Sequence, residues 1–112
     1  MSKIETIDCA TLKAWLDNDE AIVIDVREVD EYNAAHIKGA ILVPVGTCSA
    51  SSVPHNPDKK IVFHCKAGVR GGKACEVCAM SMPEKTVYNL EGGLDAWIAD
   101  GYPIISTSSA AA

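Results

Sequence analysis

The chain has 112 residues, 48% hydrophobic and 22% charged, with a formal net charge of −5 at pH 7, which is typical of one globular domain with its own core. The acidic balance argues against a nucleic-acid partner, because binding to phosphates depends on clustered Lys and Arg side chains. There is no apolar run near the roughly 20 residues of a membrane helix and no apolar signal segment, so we expect neither membrane binding nor secretion.

The first half of the chain predicts strands that alternate with helices. In order, the elements are a strand over 4–7, a helix over 9–16, a strand over 21–26, a helix over 28–35 and a short strand over 40–43. Asp8 is a suitable N-cap for the first helix. The run Ala-Ile-Val-Ile-Asp-Val is apolar except for one acid, which is typical of a strand buried on both faces of a parallel sheet.

The second half continues this alternation after a loop over 46–60 that is rich in Gly, Ser, Pro and Lys. The later elements are a strand over 61–64, a helix over 71–82, a strand over 86–90 and a helix over 93–99. Such alternation predicts an α/β fold, with a mainly parallel five-stranded sheet and helices on both faces. We expect one domain over 1–105 and a disordered tail over 106–112.

The most informative feature is the cysteine after the strand over 61–64. Residues 65–70 read Cys-Lys-Ala-Gly-Val-Arg and lead into a predicted helix. At such a turn backbone N–H groups converge and the helix dipole is positive, which stabilises a thiolate and attracts anions. A basic segment surrounds it, with no acid and five cations: Lys59, Lys60, Lys66, Arg70 and Lys73. We expect a small anionic ligand near Cys65, the alternatives being a core thiol and ordinary solvated cations.

Polar residues also follow the strand over 21–26, and the carboxyl ends of parallel strands meet at one edge where ligands bind. We expect Asp25 and Arg27 to form an internal ion pair that holds loops together. A direct catalytic role is the less favoured alternative, because a carboxylate disfavours a neighbouring thiolate. We expect His64 to point away from Cys65, since neighbouring side chains in a strand alternate between faces. A Cys–His dyad is therefore not expected.

The five cysteines are an odd number without a secretory signal, which predicts a reducing compartment and a cytoplasmic protein. Cys75 and Cys78 form a Cys-x-x-Cys pair inside a predicted helix. A zinc site usually needs two such pairs, so we expect packing and no metal. A resolving-thiol role for Cys75 or Cys48 is a less favoured alternative.

Three groups of residues together resemble the rhodanese domain family. The amino-terminal signature is matched by Asp-Val-Arg-Glu at 25–28, Glu31, Tyr32, and His-Ile-Lys-Gly-Ala at 36–40. The active-site loop is matched by Cys65, Gly68 and Arg70. The carboxyl-terminal signature is matched by Leu-Glu-Gly-Gly at 90–93, Trp97, and Gly-Tyr-Pro at 101–103. The resemblance covers about residues 4–105 and implies a rhodanese-like fold.

The resemblance implies a sulfurtransferase without a cofactor or metal. Cys65 would take sulfur from a small anionic donor such as thiosulfate, carry it as a persulfide, and pass it to a thiol, a cyanide ion or an acceptor protein. The residues implied to bind the donor are Lys66, Ala67, Gly68, Val69, Arg70 and Gly71. Asp25 and Arg27 are implied to support them. Gly71 stands where the family often has Ser.

Two rival functions are considered on the sequence. A phosphatase or arsenate reductase of the same fold is disfavoured, because it would use a Cys-x5-Arg loop, one residue longer than the loop from Cys65 to Arg70, and because position 71 is Gly. A non-enzymatic sulfur carrier or binding module would use the same persulfide and serve a partner protein.

Overall fold

The computed structural model describes residues 3–44, 59–66 and 86–105. Its elements are β1 (Lys3–Ile7), α1 (Cys9–Asp17), β2 (Ala21–Asp25), α2 (Val29–Ala34), β3 (Ile41–Leu42), β4 (Lys60–His64), β5 (Thr86–Leu90) and α3 (Gly93–Ala99). Each element agrees with a predicted one to within one or two residues at either end. The predicted helix over 71–82, the tail over 106–112 and most of the loop over 46–60 lie outside the described residues.

The five strands form one sheet in the order β1-β5-β4-β2-β3, and every neighbouring pair is parallel. β2 and β4 pair over their whole length, from Ala21 beside Lys60 to Asp25 beside His64. The α/β fold with a parallel five-stranded sheet is thereby confirmed. The carboxyl ends of β2 and β4 meet at one edge, and Cys65 is the first residue beyond it.

Buried side chains form one cluster on each face of the sheet. The Cys65-side cluster contains Ile24, Val26, Val43, Ile61, Phe63, Cys65 and Val87. The helix-side cluster contains Cys9, Leu12, Ala21, Val23, Ile37, Ala40, Val62, Leu90, Leu94 and Trp97. α1 and α3 contribute side chains to the helix-side cluster. Coverage of the other face by a helix over 71–82 stays a prediction.

Local contacts fix the helices against the sheet. The Asp8 carboxylate accepts a hydrogen bond from the Thr11 N–H at 2.8 Å, which confirms the predicted N-cap of α1. The indole N–H of Trp97 donates to the Pro103 carbonyl at 2.9 Å, which joins α3 to the chain that follows it. Within the described ranges, none of the helices has both the length and the apolar content to cross a bilayer.

Candidate functional site

Cys65 lies at the carboxyl edge of the sheet, directly after β4. Its side chain is only 2% exposed and belongs to the apolar Cys65-side cluster. Lys66, the next residue, is exposed. Asp25 and Arg27 lie at the end of the neighbouring strand, β2, so the structure brings them to the same edge as the sequence predicts.

The rest of the predicted binding loop lies outside the described residues. This applies to Ala67, Gly68, Val69, Arg70 and Gly71. The described part of the candidate site therefore consists of Cys65, Lys66 and the residues that contact them.

The amino end of α3 binds the backbone of Cys65 and Lys66. The N–H of Leu94 donates to the Cys65 carbonyl at 2.8 Å, and the N–H of Asp95 donates to the Lys66 carbonyl at 2.9 Å. In a planar trans peptide the C=O and N–H bonds point in opposite directions. The Lys66 N–H is therefore directed away from the α3 group that binds the Cys65 carbonyl.

Gly93 makes this close approach possible. Its φ is +57°, and a Cβ at this position would lie 2.3 Å from the Cys65 carbonyl oxygen and 2.7 Å from the Lys66 carbonyl oxygen. Any side chain would push the two segments apart. The sequence analysis did not find this role, although the Gly-Gly pair before a helix is a signal of unusual backbone geometry.

The predicted ion pair between Asp25 and Arg27 is present and buried. Arg27 Nε lies 2.9 Å from Asp25 Oδ1, and Arg27 Nη2 lies 2.7 Å from Oδ2. The same Nη2 group donates to the Ala35 carbonyl at 2.6 Å. The two side chains are 0% and 5% exposed, respectively. The pair therefore ties the end of β2 to the end of α2, beside Cys65.

His64 is fully buried on the opposite face from Cys65, as the strand alternation predicts. Its Nδ1 atom lies 3.2 Å from the Cys65 carbonyl oxygen, and its Nε2 atom lies 3.6 Å from Asp25 Oδ2. Burial lowers the pKa of His64 below its ordinary value of 6.5, against the smaller opposite effect of the Asp25 carboxylate. We assign the proton of the neutral ring to Nδ1, because the carbonyl oxygen facing it can only accept.

This lowered pKa predicts that acid destabilises the fold. In the unfolded chain His64 takes up a proton below about pH 6.5, whereas the folded protein keeps it neutral, so the unfolded state binds more protons. The free energy of unfolding is therefore highest above that pH, and it decreases as the pH falls from about 6.5 toward the pKa of His64 in the folded protein. Urea unfolding between about pH 7.5 and 5.5 should show a smaller loss in His64→Asn than in the wild type. An equal loss in both proteins would contradict this prediction.

Two of the five cations of the basic segment, Lys59 and Lys60, do not lie beside Cys65, which corrects the expectation for these two; Arg70 and Lys73 lie outside the described residues. Lys59 and Lys60 form ion pairs with Asp19 and Glu20, with N–O distances of 2.8 and 3.4 Å. Both lysines stand at the amino end of β4, and at about 3.3 Å per residue the strand separates them from the cysteine. Of the segment's members that the structure describes, Lys66 is the one beside Cys65.

The other cysteines do not add to the described site. Cys9 is 3% exposed in the helix-side cluster, and burial raises its pKa. Cys48, Cys75 and Cys78 lie outside the described residues. Within residues 3–44, 59–66 and 86–105, no group of three or more His, Cys, Asp or Glu side chains could hold a metal ion.

The structure is an α/β protein with a parallel sheet and a cysteine held at the carboxyl edge of that sheet. Comparison with known families identifies which α/β family this is. The sequence profile of the rhodanese-like domain matches residues 8–100, and the chain belongs to this family. The solved rhodanese-like domain of the Anabaena protein Alr3790 superimposes with a TM-score of 0.81 at 27% identity, covering 96% of this chain and 83% of that one.

Two curated relatives are longer than this chain. The Synechocystis protein slr1261 is 33% identical over 105 residues, which cover 94% of this chain and 58% of the relative. The putative sulfur carrier protein YrkF of Bacillus subtilis is 32% identical over 100 residues, which cover 86% of this chain and 52% of the relative. The chain thus spans about half the length of these relatives.

Proposed function

We propose that this chain transfers sulfane sulfur through a persulfide on Cys65. The observation that carries the proposal is the position of Cys65 at the carboxyl edge of the sheet, with its carbonyl held by α3, in a chain of the rhodanese-like family. The donor is thiosulfate or a similar small anion, and the acceptor is a thiol or cyanide.

The reaction has two displacement steps. The Cys65 thiolate attacks the outer sulfur of thiosulfate, the sulfur–sulfur bond of the donor breaks, and sulfite leaves with the bonding electron pair. The acceptor thiolate or cyanide then attacks the terminal sulfur of the persulfide. The bond between that sulfur and Cys65 Sγ breaks, and the thiolate is restored.

The surroundings of Cys65 support this chemistry in three ways. A thiol that is only 2% exposed favours a donor that presents a single sulfur atom over a bulky one. The Lys66 N–H is directed away from α3, and we assign it as a hydrogen-bond donor to a sulfur-bound anion. The exposed Lys66 ammonium attracts a dianion, with an energy of about 1 kcal/mol or less.

Other residues have proposed supporting roles. We assign the other backbone N–H groups that would bind the donor anion to Ala67, Gly68, Val69 and Gly71. We assign to Arg70 the positive charge at the edge of this anion-binding loop. Asp25 and Arg27 act indirectly, because their buried pair fixes the end of the strand next to β4.

Formation of thiocyanate from thiosulfate and cyanide tests the proposal. The wild type should turn over, and Cys65→Ser should not, because a serine hydroxyl forms no persulfide. Cys9→Ala is a matched control, since Cys9 is a second buried thiol but lies in the cluster on the other face of the sheet. It should keep the wild-type rate, and equal losses in both variants would argue against a specific role for Cys65.

A sulfur carrier that serves a partner protein is the second candidate. It is favoured by the resemblance to YrkF, which is described as a putative sulfur carrier, and by the additional length of that protein. A carrier would gain sulfur on Cys65 from a donor but would form thiocyanate at a negligible rate. Loading without turnover would therefore select the carrier over the enzyme.

A further inference from the structure

We propose that His64 is a positioning residue that fixes the peptide between Cys65 and Lys66. This inference deepens the proposed function, because it assigns part of the nucleophile's orientation to a side chain on the opposite face of the sheet. His64 has no place in the sulfur-transfer steps themselves.

The Cys65 carbonyl oxygen has donors from two elements. The Leu94 N–H of α3 lies 2.8 Å away, and His64 Nδ1 lies 3.2 Å away. A carbonyl oxygen has two lone pairs and can accept both hydrogen bonds. Two donors in different directions restrict rotation of the peptide plane more than one does. The Lys66 N–H, which belongs to the same plane, is restricted with it.

The chemistry of position 64 supports this role. The preceding strand residues Ile61, Val62 and Phe63 are apolar and fully buried, whereas His64 is a fully buried polar residue. A buried imidazole is costly unless its polar atoms have partners. Its Nδ1–H group has such a partner in the Cys65 carbonyl, whereas Nε2 has none among the described residues, so this hydrogen bond offsets part of the cost of burying the ring.

Charged and titratable groups lie near the other ring nitrogen of His64 and act on the ring. Asp25 Oδ2 lies 3.6 Å from Nε2, and Arg27 and His36 also act electrostatically on the ring. Because Arg27 already neutralises the Asp25 carboxylate through two hydrogen bonds, the imidazole is not required as a second cation. With its proton on Nδ1 the neutral ring donates to the Cys65 carbonyl, and Nε2 lies 3.6 Å from Asp25 Oδ2 as a buried atom without a hydrogen-bond partner in the part of the chain that the structure describes.

A matched pair of variants separates the hydrogen bond from the packing. In His64→Asn the amide nitrogen is as many bonds from Cβ as Nδ1, so it can donate to the Cys65 carbonyl. His64→Leu has the same number and branching of side-chain heavy atoms as the asparagine and no donor. Both variants remove the same part of the ring, so a purely structural role of the imidazole would affect them in similar ways.

We expect His64→Leu to lower kcat for thiosulfate and cyanide by about tenfold, with KM for thiosulfate changed less than about threefold. His64→Asn should recover most of this loss. The rate at which iodoacetamide alkylates Cys65, followed by peptide mass spectrometry, should rank the proteins in the same order. Urea unfolding measures the stability of each variant separately.

Equal kcat values and equal alkylation rates in the asparagine and leucine variants would overturn the proposal. If His64→Leu does not fold, His64→Gln replaces it, because its amide nitrogen lies one bond farther from Cβ and misses the Nδ1 position. Equal rates in His64→Gln and His64→Asn would then be the contradicting result. If the wild type transfers no sulfur, the proposed function fails, and the alkylation rates still decide the role of His64.

Discussion

Gly93→Ala is expected to destabilise the protein by about 2–5 kcal/mol and to lower sulfur transfer by up to about a hundredfold. The new Cβ would lie 2.3 Å from the Cys65 carbonyl oxygen, and the φ of +57° is strained for alanine. Relief of the clash moves the amino end of α3 away from Cys65 and Lys66. Both hydrogen bonds to their carbonyls weaken, and the nucleophile loses its orientation.

Gly101→Ala is the matched control for this prediction. Gly101 has a φ of +82°, and a Cβ there would meet nothing within 4 Å. The control variant therefore has the backbone strain without the steric clash. We expect its free energy of unfolding to fall by about 1–2 kcal/mol and its rate of sulfur transfer to equal that of the wild type. Urea unfolding and thiocyanate formation should be measured on both variants. Equal stability and equal activity would contradict the role assigned to Gly93.

Arg27→Met is expected to reduce the free energy of unfolding by about 3–5 kcal/mol, because it leaves the fully buried Asp25 carboxylate without its cation. Adding Asp25→Asn to this variant should recover part of the loss, since no unpaired charge then stays buried. Lys13→Met is the control. It removes an exposed ion pair with Asp17 and should cost only about 0.3–0.5 kcal/mol.

Urea unfolding at neutral pH measures these three losses directly. A loss in Arg27→Met no larger than that in Lys13→Met would contradict the account of the buried pair. The rate of sulfur transfer per folded molecule should change little, although the free energy of unfolding falls. The reason is that the pair acts through the position of β2 and not through contact with the donor.

The sheet could be predicted because its strands carry strong local signals. The runs that became β2 and β4 are apolar on both faces, and this pattern is compatible with a central strand of a parallel sheet. Asp8 likewise identified the start of α1. The position of Cys65 followed from the same reasoning, because a residue after a central parallel strand must lie at the carboxyl edge.

The contacts that hold the site could not be predicted in the same way. Gly93 approaches Cys65 from 28 residues farther along the chain, and this proximity depends on how α3 packs. The contact of His64 with a backbone carbonyl leaves no periodic signal in the sequence. Lys59 and Lys60 were wrongly expected near Cys65, because the length of an extended strand separates residues that are close in sequence and places Lys60 at the opposite end of β4.

The most direct test of the central claim is the intact mass of the protein before and after incubation with thiosulfate. The wild type should gain the mass of one sulfur atom, a reducing thiol should remove it, and peptide mapping should locate it on Cys65. Cys65→Ser should show no gain, whereas Cys9→Ala should match the wild type. A wild type that gains no sulfur, or a gain that persists in Cys65→Ser, would contradict the assignment of Cys65 as the residue that carries sulfur.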